Sequence, residues 1–144
     1  MCPRKRKMSE LQNKSEINYD SAEILHNRGN YPSVAHCAYY SCYQLLRHIW
    51  YNSLNKTESD LNVIIQNSKS RRALQKGTHD ILINEIEKYI KIKNPSDFRV
   101  VNTNIGQLKK LRHSADYSDD AFLYNDSLKA IELSGKIRPV LKKY

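Results

Sequence analysis

The stretch Pro32-Ser-Val-Ala-His-Cys-Ala-Tyr-Tyr-Ser-Cys-Tyr-Gln-Leu-Leu-Arg-His-Ile-Trp-Tyr51 decides the fold. Read at the helical period, Val34, Ala38, Leu45 and Ile49 form one apolar line, and Ala35, Tyr39, Cys42 and Leu46 form another. A helix that is apolar nearly all round belongs at the centre of a bundle, where neighbours cover every side. Pro32 stands in its first turn, where a missing N–H costs nothing. Just upstream, Arg28-Gly29-Asn30 closes a helix running from about Glu10 to Asn27, with glycine free to adopt the left-handed conformation. Ile17, Ala22, Ile24 and Leu25 read as that helix's inward face.

The same period continues downstream. Thr57-Glu58-Ser59-Asp60 caps a short helix carrying Leu61, Ile64 and Ile65. Thr78 reads as the N-cap of a helix from His79 to about Lys91, with Leu82, Ile86 and Tyr89 on one face. Asn94-Pro95-Ser96-Asp97 is a turn, and Asp97 caps the helix after it. Asn125 to Ser127 open a last amphipathic helix with Leu128, Ile131 and Ile137, whose end Gly135 and Pro139 weaken. There is no strand pattern and no internal repeat. The expectation is one all-α domain over residues 10–144, a bundle of four to five helices, behind a basic, disordered tail over residues 1–9.

Length and composition agree with that reading. The 144 residues sustain one domain with a real core and are too few for two. Cys2, Cys37 and Cys42 are an odd number at no metal-ligand spacing, and read as reduced thiols of a cytoplasmic protein. No apolar run approaches membrane-spanning length, so no membrane partner is expected. The net charge of +9 is concentrated in three clusters: Arg4 to Lys7; Lys69, Arg71, Arg72 and Lys76; and Lys136, Arg138, Lys142 and Lys143. Such clusters favour an anionic partner, RNA or DNA, through counterion release, or are simply a solvated basic surface. The aromatic run of Tyr39, Tyr40, Tyr43, Trp50 and Tyr51 either stacks on bases or packs a core and a dimer interface.

One residue breaks its own pattern. In a helix over Val101 to Ala115, Val101, Ile105, Leu108 and Ala115 form the apolar stripe, and Arg112 falls inside it. A guanidinium aimed at an apolar face must be paired, or must line a cleft or an interface. Asp116, four residues on, is the obvious partner for a structural or interface role.

Four pieces in order, Asn30-Tyr31, Ala38-Tyr39-Tyr40-Ser41, Thr78-His79-Asp80 and Leu111-Arg112-x-x-Ala115-Asp116-Tyr117, resemble the HEPN domain (higher eukaryotes and prokaryotes nucleotide-binding). The nearest likeness is to its small stand-alone prokaryotic branch with an Arg-x-x-Ala-Asp-Tyr signature. The resemblance implies a helical bundle that pairs into a homodimer, with the signature arginines of two protomers approaching one cleft. It further implies RNA or nucleotide binding, often metal-independent ribonuclease activity, and a place in toxin–antitoxin or defence modules. Some such domains partner a minimal nucleotidyltransferase.

The family's active pattern sets a histidine a few residues after the arginine; here Tyr117 stands five places after Arg112. Free tyrosine titrates near 10 and is a poor base at pH 7. His113 is adjacent but points about 100° away on the same helix. His79 is a further candidate for proton transfer; it also stands seven residues after Arg72, a spacing that chance readily supplies. The sequence therefore gives Arg112 as phosphate ligand, with Lys69, Arg71, Arg72 and Lys76 as further nucleic-acid contacts. His113, Tyr117 and His79 are candidates for catalysis, and Asp116, Tyr39 and Tyr40 for structural or interface roles. No zinc cluster, Ser–His–Asp arrangement or phosphate loop is visible, so no metal or cofactor is expected. Three functions remain open: a non-catalytic or weakly catalytic RNA or nucleotide binder, a metal-independent endoribonuclease, and an interaction partner of a nucleotidyltransferase.

Overall fold

The computed structural model describes residues 8–69, apart from the Lys69 side chain, and residues 77–144. Six α-helices and no strand occur among them: α1 (Glu10–Asn27), α2 (Tyr31–His48), α3 (Glu58–Lys69), α4 (Thr78–Lys93), α5 (Pro95–Tyr117) and α6 (Tyr124–Leu141). The sequence reading of four to five helices undercounts. The Thr57–Asp60 capping interaction nucleates α3, a twelve-residue helix, and the Asn94 turn separates α4 from α5. Arg71, Arg72 and Lys76 lie outside the described residues, as do residues 1–7 of the basic tail.

Each boundary has a local cause. Ser9, the last residue read as tail, is the N-cap of α1. Its side chain accepts from the Gln12 N–H, Gln12 reaches back to the Ser9 N–H, and the Ser9 hydroxyl meets His48 Nδ1 at 2.7 Å. Gly29 ends the α1 turn at φ 78°, as its sequence position predicts, and the Asn30 N–H returns to Leu25 O at 2.9 Å. α2 continues into a π-helical turn, Ile49–Ser53, that carries Trp50 inward; its indole N–H donates to Thr57 O at 2.9 Å. Two predicted caps are displaced by one to three residues. Asn94, not Asp97, caps α5, because its side chain accepts from the Ser96 and Asp97 N–H groups with Pro95 in the first turn. Asp97 instead takes the Tyr144 hydroxyl (2.6 Å) and Lys143 (3.2 Å). α4 starts at Thr78 itself, with Gly77 as its capping residue.

α2 lies at the centre, against α1, α4, α5 and α6. From Val34 to Trp50 only His36 is exposed. Towards α4 and α5 the packing is aliphatic, with Leu46, Leu82, Ile86, Ile90, Val101 and Leu108 all fully buried. Towards α1 and α6 small and polar residues enter the core, with Ser15, Ala22, Ala38, Ser41, Ala130 and Ser134 fully buried beside Leu133, Ile137 and Leu141 of α6. The hydroxyls there form a closed chain. Cys42 Sγ–H points to Ser134 Oγ (3.4 Å), Ser134 to Ser41 Oγ (2.8 Å), and Ser41 to Ala38 O (2.6 Å). Ser15 donates to Ser41 O at 2.6 Å. Burial pushes the Cys42 thiol up to about 11, so it holds its proton for this chain.

Beside that chain, the buried Arg138 donates from Nε to Ser15 Oγ, stacks 4.5 Å from the Tyr19 ring centre and pairs with Glu16 at 2.9 Å. Lys142 also holds Glu16, and with Arg138 it keeps that carboxyl below its ordinary value. Ile17 and Ile24 depart from the sequence reading. Each is more than half exposed, because α1 meets α2 and α6 through Ser15 and Ala22 and turns its isoleucines outward. Leu46→Ala at the aliphatic centre should lower unfolding free energy by about 2–5 kcal/mol in urea titration, with the helical signal at zero denaturant retained. A loss under 1 kcal/mol, on the order of a surface substitution, would contradict the central placement of α2.

Candidate functional site

On the face of α2 turned toward α4 and α5, His36, Tyr39, Tyr40, Tyr43 and Arg47 recur at three- and four-residue steps and form one polar-aromatic stripe. α5 lays Lys109, Arg112 and Asp116 beside it, again at three- and four-residue steps. The start of α4 brings His79 and Asp80 into the same place, and Asp80 pairs with Lys109 across the α4–α5 contact.

The Tyr39 ring is the common wall. Arg112 lies over it, its guanidinium carbon 4.7 Å from the ring centre and 5.9 Å from that of Tyr40. His79 lies 5.8 Å from the Tyr39 ring at an interplanar angle of 13°, stacks on Tyr43 at 4.0 Å, and meets Tyr40 edge-on at 5.9 Å. The Tyr39 hydroxyl and His79 Nδ1 are 3.0 Å apart. Tyr39 is fully buried, and that burial holds its hydroxyl well above the ordinary phenol range.

Arg112 is incompletely satisfied. Its side chain is 14% exposed, and its one ion pair among the described residues, Nη1 to Asp116 Oδ2, is long at 3.5 Å. Its Nε–H is buried with no acceptor among the described residues. Asp116 is shared with His36, whose Nδ1 lies 3.8 Å from the same oxygen. A guanidinium over an aromatic ring keeps its in-plane N–H donors free for an anionic oxygen, and Arg112 has such donor capacity left over. The cluster sets Arg112 and Lys109 against Asp116 and Asp80, and adds Arg47, whose own neighbours include Glu58. Its cations show in His79, whose pKa lies below the ordinary 6.5 because burial, then Arg112 and Lys109, disfavour the imidazolium.

The sequence candidates divide here. Arg112, Asp116, Tyr39, Tyr40 and His79 come together. His113 and Tyr117 do not: both are exposed and contact each other at 4.9 Å. Lys69 ends α3, and the other three basic candidates, Arg71, Arg72 and Lys76, fall outside the described residues. The residues that sequence reasoning missed are Tyr43, which stacks on His79, and the Asp80–Lys109 pair. Tyr43 was signalled by its place four residues after Tyr39, whereas a pair between separate helices leaves no such trace. A separate groove of about 370 Å³ between α5 and α6, with Leu111 and Leu133 in its lining, shares no residue with this cluster.

Among the described residues no three His, Cys, Asp or Glu side chains gather in a metal-binding arrangement, and no helix is long and apolar enough to cross a membrane. No family model matches the chain, and no curated protein or solved structure is detectably similar to it.

The electrostatics of His79 carry a stability consequence. Because its folded-state pKa is depressed, the unfolded chain binds the proton first as pH falls from 6.5, and stability declines until the folded value is passed. In an NMR titration the His79 ring protons should shift below pH 6.5, and Arg112→Met should move that midpoint upward. A midpoint above 6.5, or one indifferent to Arg112, would contradict the arrangement.

Proposed function

We propose that this chain binds RNA or a nucleotide by seating a phosphate against Arg112 on the Tyr39 wall, as a HEPN-like helical domain. The observation that carries the reading is the buried, acceptor-less Nε–H of Arg112 in a guanidinium held by ring stacking and one long ion pair. Arg138 also has a buried nitrogen without a hydrogen bond, Nη2, but that atom lies 2.9 Å from the Glu16 carboxylate, whereas the carboxylate paired with Arg112 is 3.5 Å away and on Nη1, not Nε. Tyr40 is half-buried beside Arg112, where its ring can stack on a base. The net charge of +9 adds long-range attraction for a polyanion.

By the motif resemblance, the same reading extends to a homodimer bringing two such clefts together, and to a cytoplasmic toxin–antitoxin or defence-type module, with a nucleotidyltransferase-like partner as a further possibility.

A second reading, metal-independent endoribonuclease, is favoured by one specific observation: His79 shares the Tyr39 ring with Arg112. In that reaction the 2′-oxygen bonds to phosphorus, the bond to the 5′-oxygen breaks, and a base and an acid remove and supply one proton each. The products are a 2′,3′-cyclic phosphate and a free 5′-hydroxyl, and Arg112 would steady the phosphorane charge.

Fluorescence anisotropy with a short labelled single-stranded RNA tests the binding claim. Affinity should fall steeply with added salt, and Arg112→Ala should weaken it by about tenfold or more while the circular dichroism spectrum is unchanged. No binding at low salt, or equal affinity in Arg112→Ala, would remove it.

A further inference from the structure

The hydroxyl of Tyr39 has one hydrogen-bond partner among the described residues, His79 Nδ1. Two arrangements of the proton are conceivable. If Nδ1–H donated to the phenol oxygen, the phenol proton would be left without an acceptor inside the core, at the cost of a buried unsatisfied group. If the phenol donates, its hydroxyl and Nδ1 are both satisfied, and the imidazole is neutral with its proton on Nε2. The surroundings agree: Tyr39 is fully buried and keeps its proton, and Arg112 and Lys109 of α5 and Arg47 of α2 all oppose a second proton on the ring, with only Asp80 of α4 favouring it.

Resting on the phosphate-binding reading above, we infer that Tyr39 fixes His79 as an Nε2–H donor, and that His79 is a neutral second ligand to the phosphate held by Arg112, not a base. Nδ1, the ring nitrogen with a lone pair, is occupied by the tyrosine proton. Nε2 has no hydrogen-bond partner among the described residues and carries a proton. Such a ring cannot take a proton from a ribose 2′-hydroxyl at Nε2, but it can donate to a phosphate oxygen. Stacking on Tyr43 and the edge contact with Tyr40 hold its plane, so little is lost in ordering it when a ligand arrives. Tyr39 is thus a positioning residue: it sets a tautomer and supports a guanidinium. The cleft pairs a charged donor with an uncharged one, a combination suited to holding RNA without cutting it.

Two variants separate donation from proton transfer. The glutamine amide N–H in His79→Gln reaches close to the Nε2 position but does not shuttle protons at neutral pH. RNA affinity in His79→Gln should stay within about twofold of the parent, whereas His79→Ala should lose about tenfold. In ¹⁵N-labelled protein at neutral pH, long-range ¹H–¹⁵N correlation should show Nε2 protonated and Nδ1 bare. An Nδ1–H tautomer would overturn the inference, as would His79→Gln binding no better than His79→Ala, or RNA cleavage that His79→Gln abolishes. Arg112→Ala in the same series keeps the two claims apart. Affinity that depends on Arg112 but is indifferent to His79→Ala sinks this inference alone. Affinity indifferent to both sinks the phosphate site, while the tautomer remains measurable in the free protein.

Discussion

α2 has almost no face turned to water, and the rest of the molecule answers that constraint. From Val34 to Trp50 a single side chain, His36, is exposed, so the polar groups on the buried faces must find partners on neighbouring helices. On one side the Ser41 hydroxyl joins Ser134 of α6 in a chain that ends on the Ala38 carbonyl, and the Ser41 carbonyl accepts from Ser15 of α1. On the other side the Tyr39 hydroxyl is matched by His79 at the start of α4. The same requirement that knits α1 and α6 to the centre fixes the imidazole beside Arg112. In this protein, site and core are two consequences of one buried helix.

The two sides of α2 also divide the energetic work. The α4–α5 side is aliphatic, and burying side chains such as Leu46, Leu82 and Leu108 contributes at roughly 25 cal/mol per Å², as does burying Leu133, Ile137 and Leu141 of α6. The α1–α6 side gives up some of that in exchange for close approach and directional bonds, which fix helix register. Arg138 and Arg112 make a useful contrast. Both lie over a tyrosine ring, at 4.5 and 4.7 Å, and each has one buried nitrogen without a hydrogen bond, but in Arg138 that nitrogen sits 2.9 Å from Glu16 while the ion pair of Arg112 is long and made by a different nitrogen.

Much of the bundle was legible in the sequence, because helix periodicity and stop signals are local. The span of α1, the glycine turn at position 29, the Thr57 cap and the all-round burial of α2 follow from residues within a few positions of each other. The inward face of α1 was not legible. Ile17 and Ile24 are its natural apolar choice, but a neighbour with a small, hydroxyl-lined surface selects Ser15 and Ala22. The caps of α4 and α5 were misplaced for a related reason, since Thr78 and Asp97 are good caps that lose to the residues just before them. For the site, the apolar period marked Arg112 at once. The meeting of His79 with Arg112 was invisible, because it depends on how the start of α4 crosses α5 and leaves no spacing in the chain.

The claim at the centre of this account is that the Tyr39–His79–Arg112 cluster holds a phosphate. The most direct measurement is a titration of ¹⁵N-labelled protein with a short single-stranded RNA, following backbone amides and arginine Nε–H signals together. The account predicts that the Arg112 Nε–H, the His79 ring and the Tyr43 amide move first and saturate with one common affinity. Shifts confined to the α5–α6 groove around Lys110 and Lys129, with the Arg112 Nε–H unmoved, would contradict it.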